Sequence, residues 1–153
     1  MIEIVVVSDN HGKIEVLEEI IRKHPHADCY IHCGDAELPE AYLEHFVMVS
    51  GNNDYFTSYP PLQVLTIAPL KILVIHGHQF ISTKRKEKLV EKADSLGCNL
   101  VLYGHSHVYD YENRDGVALV NPGSLRYNRD GTPPSYALIH YQDGEMEVTR
   151  INI

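Results

Sequence analysis

Five apolar segments of the sequence are each followed by residues that can bind a metal ion. In chain order these residues are Asp9, His11, Asp35, Asn52, His76, His105 and His107. Glycine precedes several of them, as in Gly34-Asp35 and Gly104-His105, and glycine permits the sharp turns and close backbone approaches that binding sites need. Any one of these short motifs occurs by chance. Their repetition at five segment ends indicates a shared metal site.

The chemistry of this set limits the ions that it could hold. Its seven oxygen and nitrogen ligands are too many for one Zn²⁺, which takes about four. They suit two ions that share one carboxylate. Imidazole with carboxylate is typical of Mn, Fe or Zn sites, whereas soft metals and clusters need thiolates. Three cysteines occur without a CxxC motif, so we expect reduced thiols outside the site: Cys29, Cys33 and Cys98.

The pattern of apolar residues and turn residues along the chain predicts the strands and helices that position these ligands. Apolar runs and turn signals predict strands over 2–8, 28–33, 46–50, 62–67, 70–75, 99–104, 108–113, 116–121, 135–141 and 145–151. Helices are predicted over 13–23 and 84–97, with a short helix over 37–45. A β-α-β-α-β order followed by a β-meander indicates the α/β class. We expect a four-layer αββα sandwich, in which helices flank two mixed β-sheets packed together.

The predicted positions of the ligands fit that architecture. Open α/β sheets bind ligands at the carboxyl ends of their strands, where the seven residues fall. In an extended segment residues i and i+2 point to the same side, so His105 and His107 could face one crevice. They could then reach different ions of a pair about 3.5–4 Å apart. Asp9 and His11 repeat the same spacing.

Length and composition favour one globular domain over residues 1–153. The chain has 44% hydrophobic and 22% charged residues, without a repeat or a linker-like stretch. Its net charge of −8 argues against an extended nucleic-acid surface and against a membrane partner. No signal peptide or membrane span is predicted, so a cytoplasmic location is expected. The oligomeric state is left open, with a homodimer among the options.

The sequence contains five motifs that, in the same order, resemble those of the calcineurin-like metallophosphoesterases. They are Asp9-x-His11, Gly34-Asp35, Gly51-Asn52, His76-Gly77-His78 and Gly104-His105-x-His107. The later segment NPGS (121–124) is similar to one in the small bacterial and archaeal phosphodiesterase branch. The resemblance covers nearly the whole chain and implies a ββ sandwich flanked by helices. A chain of 153 residues leaves no room for a cap domain, so we expect an open site.

The resemblance also implies a ligand assignment and a reaction. One ion would be held by Asp9, His11, Asp35 and His107, and the other by Asp35, Asn52, His76 and His105. Mn²⁺ is the favoured metal, with Zn²⁺, Ni²⁺ or Fe²⁺ as alternatives. The implied reaction is hydrolysis of a small phosphodiester through in-line attack by a hydroxide that bridges the two ions.

One position departs from the larger family. There a histidine commonly follows the metal-binding asparagine and assists the leaving group, whereas this sequence reads GNND (51–54) with Asn53 in that place. An amide can donate a hydrogen bond but has no proton to transfer near pH 7. We predict catalytic roles for Asn53 and for His78, the latter as a substitute proton donor. Arg126 and Arg129 could bind phosphate through their guanidinium groups.

The missing histidine leaves a second hypothesis open. The chain could be a non-catalytic metal-binding scaffold of the same fold, resembling the retromer subunit. The complete ligand set favours the enzyme over the scaffold. A metallo-β-lactamase-type hydrolase is excluded, because its His-x-His-x-Asp-His string is absent.

Overall fold

Two mixed five-stranded β-sheets form the centre of the computed structural model, which describes residues 1–153. The strands are β1 (Ile2–Val7), β2 (Cys29–His32), β3 (Phe46–Met48), β4 (Leu62–Ile67), β5 (Leu70–Ile75), β6 (Leu100–Leu102), β7 (Asp110–Arg114), β8 (Val117–Asn121), β9 (Ser135–Gln142) and β10 (Glu145–Asn152). The first sheet has the order β10-β9-β1-β2-β3 and the second the order β4-β5-β6-β8-β7.

Each sheet contains three adjacent parallel strands. In the first sheet β1, β2 and β3 run parallel, and β9 and β10 add antiparallel pairs. In the second sheet β5, β6 and β8 run parallel, and the edge strands β4 and β7 pair antiparallel. The loops that follow the parallel strands of a sheet therefore leave from the same edge of that sheet.

Alternation along β1 shows how the layers pack. Ile4 and Val6 lie in a cluster of 14 buried residues drawn from both sheets, which is the core between them. Val5 and Val7 point to the opposite face of the first sheet, where they pack in a second cluster. Residues of one strand alternate between its faces, so β1 is buried on both sides. This explains why its sequence is continuously apolar.

Two helices cover the outer faces of the sheets. The first, α1 (Glu15–Lys23), buries Leu17 and Ile20 against the first sheet, and α2 (Arg85–Leu96) buries Leu89 and Ala93 against the second. Gly97 ends α2 in the left-handed conformation (φ 70°), and its N–H donates to the carbonyl groups of Ala93 and Asp94. The predicted αββα sandwich of two mixed sheets is confirmed.

The short helix predicted over 37–45 is wrong in extent. Only Glu40–Tyr42 form a single 3₁₀ turn. Glu37 has a left-handed backbone (φ 54°) and Pro39 is extended (ψ 146°), so neither residue can continue a helix. All three cysteines are free, and Cys33 and Cys98 are buried. None of the helices is long and apolar enough to cross a membrane.

Candidate metal centre

The seven predicted ligands lie in loops at the carboxyl ends of parallel strands from both sheets. Those of the first sheet are Asp9 and His11 after β1, Asp35 after β2 and Asn52 after β3; those of the second are His76 after β5 and His105 and His107 after β6. Backbone hydrogen bonds join neighbouring loops. The N–H of Asp9 donates to the carbonyl of Gly34 (3.0 Å), and that of Gly104 donates to the carbonyl of His76 (3.0 Å).

Asp9, His11 and His107 form one ligand group. The Nε2 atoms of the two histidines are 3.1 Å apart, and Oδ1 of Asp9 lies 3.2 Å from Nε2 of His107 and 3.7 Å from Nε2 of His11. The opposite ring nitrogens have partners of their own. Nδ1 of His11 contacts the Glu37 carboxylate, and Nδ1 of His107 lies 3.2 Å from the carbonyl oxygen of Tyr127. These contacts hold both Nε2 atoms toward Asp9.

Asp9, Asp35 and His76 form the second ligand group. Nε2 of His76 lies 3.3 Å from Oδ2 of Asp35 and 3.8 Å from Oδ1 of Asp9. Nδ1 of His76 lies 2.7 Å from the carbonyl oxygen of Cys33, which fixes the ring. Asp9 therefore belongs to both groups, whereas the resemblance assigns the shared position to Asp35.

Asn52 and His105 adjoin the second group. Nδ1 of His105 is 3.1 Å from Oδ1 of Asn52, and its ring centroid is 5.1 Å from that of His76. His107, by contrast, contacts Asp9 and His11. The binding of His105 and His107 to different ions remains a prediction, and this arrangement is compatible with it.

Two buried atoms in these groups, Oδ1 of Asp9 and Nε2 of His76, make no hydrogen bond of good geometry. Each has a polar atom of the site nearby, at 3.2 Å in His107 and 3.3 Å in Asp35, but is not aligned with it. Leaving such an atom unpaired costs about 1–3 kcal/mol. Within each group the three ligand atoms lie within 4.8 Å of one another. Two nitrogens bound to one tetrahedral ion at about 2.0–2.1 Å would lie about 3.3 Å apart. The unpaired atoms and their spacing therefore fit divalent metal ions.

Five of the seven predicted ligands have a left-handed backbone: Asp9 (φ 56°), His11 (44°), Asp35 (58°), His105 (69°) and His107 (56°). This conformation costs a non-glycine residue about 1–2 kcal/mol, and such strain concentrates at functional sites. The expectation that segments 9–11 and 105–107 are extended is therefore wrong. In segment 105–107 the chain turns tightly, with the N–H of Ser106 donating to the carbonyl of Gly104 (2.8 Å).

Gly104 allows the β6 loop to approach Asp9 closely. A Cβ at this position would lie 2.1 Å from Oγ of Ser8 and 2.6 Å from Oδ2 of Asp9. Oδ2 of Asp9 accepts hydrogen bonds from Oγ of Ser8 (2.5 Å) and from the N–H of His105 (3.1 Å). No side chain fits between these groups, so a glycine is required in front of the two histidines.

The charges of the site stabilise its carboxylates. Burial raises the pKa of Asp9, but interactions with His107 and His76 outweigh it and leave the pKa below its ordinary value. Burial likewise raises the pKa of Asp35, and interactions with His76 and Asn53 reverse it, so that this pKa lies well below the usual range. Burial and the charge of His76 lower the pKa of His105 to about 4. The low pKa values of Asp9, Asp35 and His105 favour ionised carboxylates and a neutral imidazole, which are the forms that bind metals. Burial lowers the pKa of His76, but interactions with Asp35 and Asp9 outweigh it and raise this pKa above its ordinary value.

The two predicted catalytic residues have different surroundings. The backbone N–H of Asn53 donates to Oδ1 of Asp35 (2.9 Å), and its side-chain amide donates to Oδ2 of the same residue (3.0 Å). Asn53 thus positions Asp35. His78 is exposed, and its ring centroid lies 5.4 Å from that of His76 and 6.2 Å from that of His105. Partial burial and the charge of His76 lower the pKa of His78.

An open cavity of about 230 Å³ lies over the ligands. It is lined by His11, Asp35, Asn52, Asn53, His105, His107, Arg126, Tyr127 and Arg129. Both arginines are exposed, so their guanidinium groups are available to an anion at the cavity rim. The structure thus brings the candidate phosphate-binding residues to the metal ligands, while His78 is outside the cavity lining.

Sequence reasoning missed three residues that hold the site together. The carboxylate of Asp54 accepts hydrogen bonds from the backbone N–H groups of Asp35 (2.8 Å), Glu37 (3.0 Å) and Gly51 (2.7 Å). These bonds connect the loop after β2 to the loop after β3. Glu37 supports His11. Ser124 donates from Oγ to the carbonyl of Asp9 (2.8 Å). Asp54 and Ser124 belong to the GNND and NPGS segments, so these motifs could have indicated their roles. No sequence motif contains Glu37.

His32 is a structural residue. Its ring is fully buried beneath the site, with Nε2 2.7 Å from Oδ1 of Asn10 and Nδ1 accepting the N–H of Gly34 (3.0 Å). Both ring nitrogens are therefore occupied. Burial lowers the pKa of His32 to about 4, so the ring is neutral near pH 7.

Comparisons with known proteins agree with this geometry. Residues 2–144 match the family model of the calcineurin-like phosphoesterase superfamily domain. The probable metallophosphoesterase YsnB of Bacillus subtilis is 35% identical over 148 residues, which are 95% of this chain and 88% of that protein. The crystal structure of a predicted phosphoesterase from Streptococcus pneumoniae has a TM-score of 0.92 at 30% identity, over 98% of this chain and 88% of that chain.

A more distant structure shares the fold alone. Vps29 of Entamoeba histolytica, complexed with Zn²⁺, has a TM-score of 0.78 at 22% identity over 99% of both chains. The family match and the two relatives with at least 30% identity span nearly all of the residues that build the two sheets and the ligand loops. This chain belongs to the calcineurin-like phosphoesterase superfamily, as its five ligand motifs predict.

Proposed function

We propose that this protein is a metal-dependent phosphodiesterase that hydrolyses small phosphate diesters. The observation that carries the proposal is the pair of ligand groups meeting at Asp9, where buried ligand atoms without hydrogen bonds of good geometry face each other. Asn52 and His105 would complete the ligand set, with Mn²⁺ as the favoured metal. Two divalent ions at this place would polarise phosphate oxygens and lower the pKa of a water molecule to near neutrality.

The residues of the chain itself would bind and orient the substrate. The two arginines at the cavity rim, Arg126 and Arg129, present planar guanidinium groups that match phosphate oxygens. Asn53 holds the Asp35 carboxylate in place through two hydrogen bonds, one from its backbone N–H and one from its side-chain amide. The positive charges of Arg126 and Arg129 would stabilise negative charge that develops on the phosphate oxygens in the transition state.

The shape of the site favours a small diester. A cavity of about 230 Å³ can hold a phosphate group while both ester substituents project from it. The net charge of −8 opposes binding along a duplex, whose affinity depends on many phosphate contacts with Lys and Arg. The proposed partner is therefore a small phosphate ester.

The test compares turnover of bis(4-nitrophenyl) phosphate and 4-nitrophenyl phosphate by protein loaded with Mn²⁺, Zn²⁺, Ni²⁺ or Mg²⁺. We expect faster turnover of the diester, and a loss of at least about 10³-fold in Asp9→Asn, since this substitution affects both ligand groups. His140→Gln is the matched control, because His140 pairs with Glu3 on the first sheet and touches no ligand. Faster turnover of the monoester would contradict the diester assignment.

The same experiment tests the alternative of a metal-binding scaffold. Metal content alone does not discriminate between enzyme and scaffold, since Vps29 of the same fold is found complexed with Zn²⁺. A scaffold would bind metal stoichiometrically and turn over neither ester with any of the four ions. An enzyme would lose turnover and metal together in Asp9→Asn.

A further inference from the structure

A second, larger depression adjoins the metal site. This groove has a volume of about 600 Å³ and lies between segment 37–40 and segment 53–57. Its lining includes Leu38, Tyr55 and Phe56, so it is more apolar than the cavity over the ligands. The Phe56 side chain is 100% exposed and Tyr55 is 76% exposed. Two adjacent aromatic rings in water beside a binding site are a feature that packing does not explain.

The groove is continuous with the metal site. Asn53 lines both depressions, and its backbone N–H and its side-chain amide each donate a hydrogen bond to Asp35. On the other wall, the carboxylate of Glu37 contacts His11. A ligand whose phosphate occupies the cavity over the metal ligands can therefore extend one substituent directly into the groove.

The groove is held in place by hydrogen bonds to the ligand loops. Asp54 binds the backbone N–H groups of Asp35 and Glu37, which joins the two walls behind the aromatic rings. At the far end, Glu40 accepts hydrogen bonds from the N–H (2.8 Å) and Oγ (2.9 Å) of Ser58. These hydrogen bonds fix the backbone of the two walls relative to one another, which reduces the entropic cost of binding.

The charges of the two depressions differ in sign. Three carboxylates line the groove: Glu37, Glu40 and Asp54. The cavity over the metal ligands instead carries Arg126 and Arg129. An anionic substituent in the groove would be repelled by the carboxylates, whereas a neutral flat ring could stack on exposed aromatic side chains. The charge pattern thus favours a ligand whose phosphate lies in the cavity over the metal ligands and whose neutral aromatic substituent lies in the groove.

We propose that this groove, lined by Tyr55 and Phe56, binds a neutral aromatic substituent of the phosphate ester. The inference rests on the proposed function and adds the substrate class: esters with one aromatic group and no second anionic group next to it. Phe56 and Tyr55 determine specificity, and they act by binding the substituent rather than by taking part in bond cleavage.

The test uses three phosphonates, whose P–C bond resists hydrolysis, titrated calorimetrically into the metal-loaded protein. Phenylphosphonate should bind about tenfold more tightly than methylphosphonate, through contact of its ring with the aromatic side chains. 4-Carboxyphenylphosphonate should bind more weakly than phenylphosphonate, because its added charge faces the carboxylates. In Phe56→Ala the phenyl preference should fall to less than about twofold. Because Phe56 is fully exposed, this variant should fold normally.

Tyr42→Ala is the matched control, since Tyr42 is an exposed aromatic residue (58%) outside the groove lining. It should keep the full phenyl preference. Equal affinity for phenylphosphonate and methylphosphonate in the wild type, or a phenyl preference that survives in Phe56→Ala, would overturn the groove proposal. If diester turnover persisted in that case, the proposed function would stand. Absence of both turnover and phosphonate binding would overturn the two proposals together.

Discussion

At the scale of single residues, Glu37 is a positioning residue for His11. Its carboxylate contacts Nδ1 of His11, and Nε2 of that ring is left for the metal. Partners of this kind fix the tautomer and orientation of a ligand histidine, and their loss typically lowers metal affinity about 10–100-fold. We therefore expect Glu37→Gln to weaken Mn²⁺ binding by this factor, measured by titration against a competing chelator.

The control for Glu37 is Glu40→Gln, in the same segment. Glu40 accepts hydrogen bonds from Ser58 and contacts no ligand, so metal affinity should stay within about twofold of the wild type. Excess metal should restore turnover in Glu37→Gln, which would not happen if the substitution only disrupted folding. Unchanged affinity in Glu37→Gln would show that His11 needs no support from this carboxylate.

Asn53 occupies the place where the larger family commonly has a histidine. Its amide donates to Asp35 and cannot transfer a proton near pH 7. General acid catalysis is worth about 10²–10⁴-fold in rate, so turnover should fall steeply as the leaving group becomes more basic. Asn53→His should flatten this dependence by helping poor leaving groups most. The measurement is kcat/KM for a series of aryl and alkyl phosphodiesters on both proteins.

The outcome for Asn53 also bears on His78. A flat wild-type dependence, with the chemical step rate-limiting, would mean that another group supplies the proton. His78→Ala would then be compared across the same series of esters, since its ring lies within 6.2 Å of that of His105. A steep dependence in the wild type would leave His78 without this role.

The clustering of the candidate ligand residues could be predicted from the sequence, while the residues that support them could not. Asp9 and His107 were recognisable because each lies at the end of an apolar strand beside another metal-binding side chain. Glu37 has no such signal, because its contact with His11 depends on left-handed turns at both residues. Backbone conformations of this kind depend on tertiary contacts and are not evident in residue spacing.

At the scale of elements, strands were predicted more reliably than the connections between them. The continuous apolar run of β1 follows from burial on both faces, with Val5 and Val7 against one layer and Ile4 and Val6 against the other. The segment 37–45 has helical composition but is pulled out of helical geometry by Glu37 and Pro39. At Glu37 the hydrogen bonds to His11 and Asp54 override the local helical propensity.

The end of β2 makes stability depend on pH through His32. The pKa of this buried ring is about 4 in the folded protein, against 6.5 for an ordinary histidine. Between these values the unfolded chain binds more protons, so the free energy of unfolding falls as the pH drops. From pH 7 to pH 5 we expect His32 to lower it by about 2 kcal/mol. Urea unfolding of the metal-free protein at both pH values measures the change.

Other groups also titrate between pH 5 and pH 7. Comparison with His32→Gln therefore isolates the contribution of His32 to the free energy of unfolding. The glutamine in His32→Gln can hydrogen-bond to Asn10 and Gly34 but does not take up a proton. Between pH 7 and pH 5 the free energy of unfolding of this variant should therefore fall by about 2 kcal/mol less than that of the wild type. His26→Gln, at an exposed histidine, should behave as the wild type. Identical pH dependence in wild type and His32→Gln would contradict the assignment.

At the scale of the whole molecule, the metal site is a junction between the two sheets. The loop after β1 supplies Asp9 from the first sheet, and the loop after β6 supplies His107 from the second. The NPGS segment after β8 reinforces this junction, because Ser124 donates to the carbonyl of Asp9. Metal binding should therefore stabilise the sandwich as a whole, since it joins groups from both of its central layers.

Thermal unfolding tests this coupling. A ligand at 100 times its Kd stabilises the folded state by about 2.7 kcal/mol, and each kcal/mol raises Tm by about 2–4 °C for a domain of this size. Saturating Mn²⁺ should thus raise Tm by about 5–10 °C relative to protein in a chelator. Asp9→Asn should abolish most of this shift, because Asp9 belongs to both ligand groups. His140→Gln, whose ring pairs with Glu3, should retain it. A full shift in Asp9→Asn would place the stabilising ions elsewhere on this acidic surface of net charge −8.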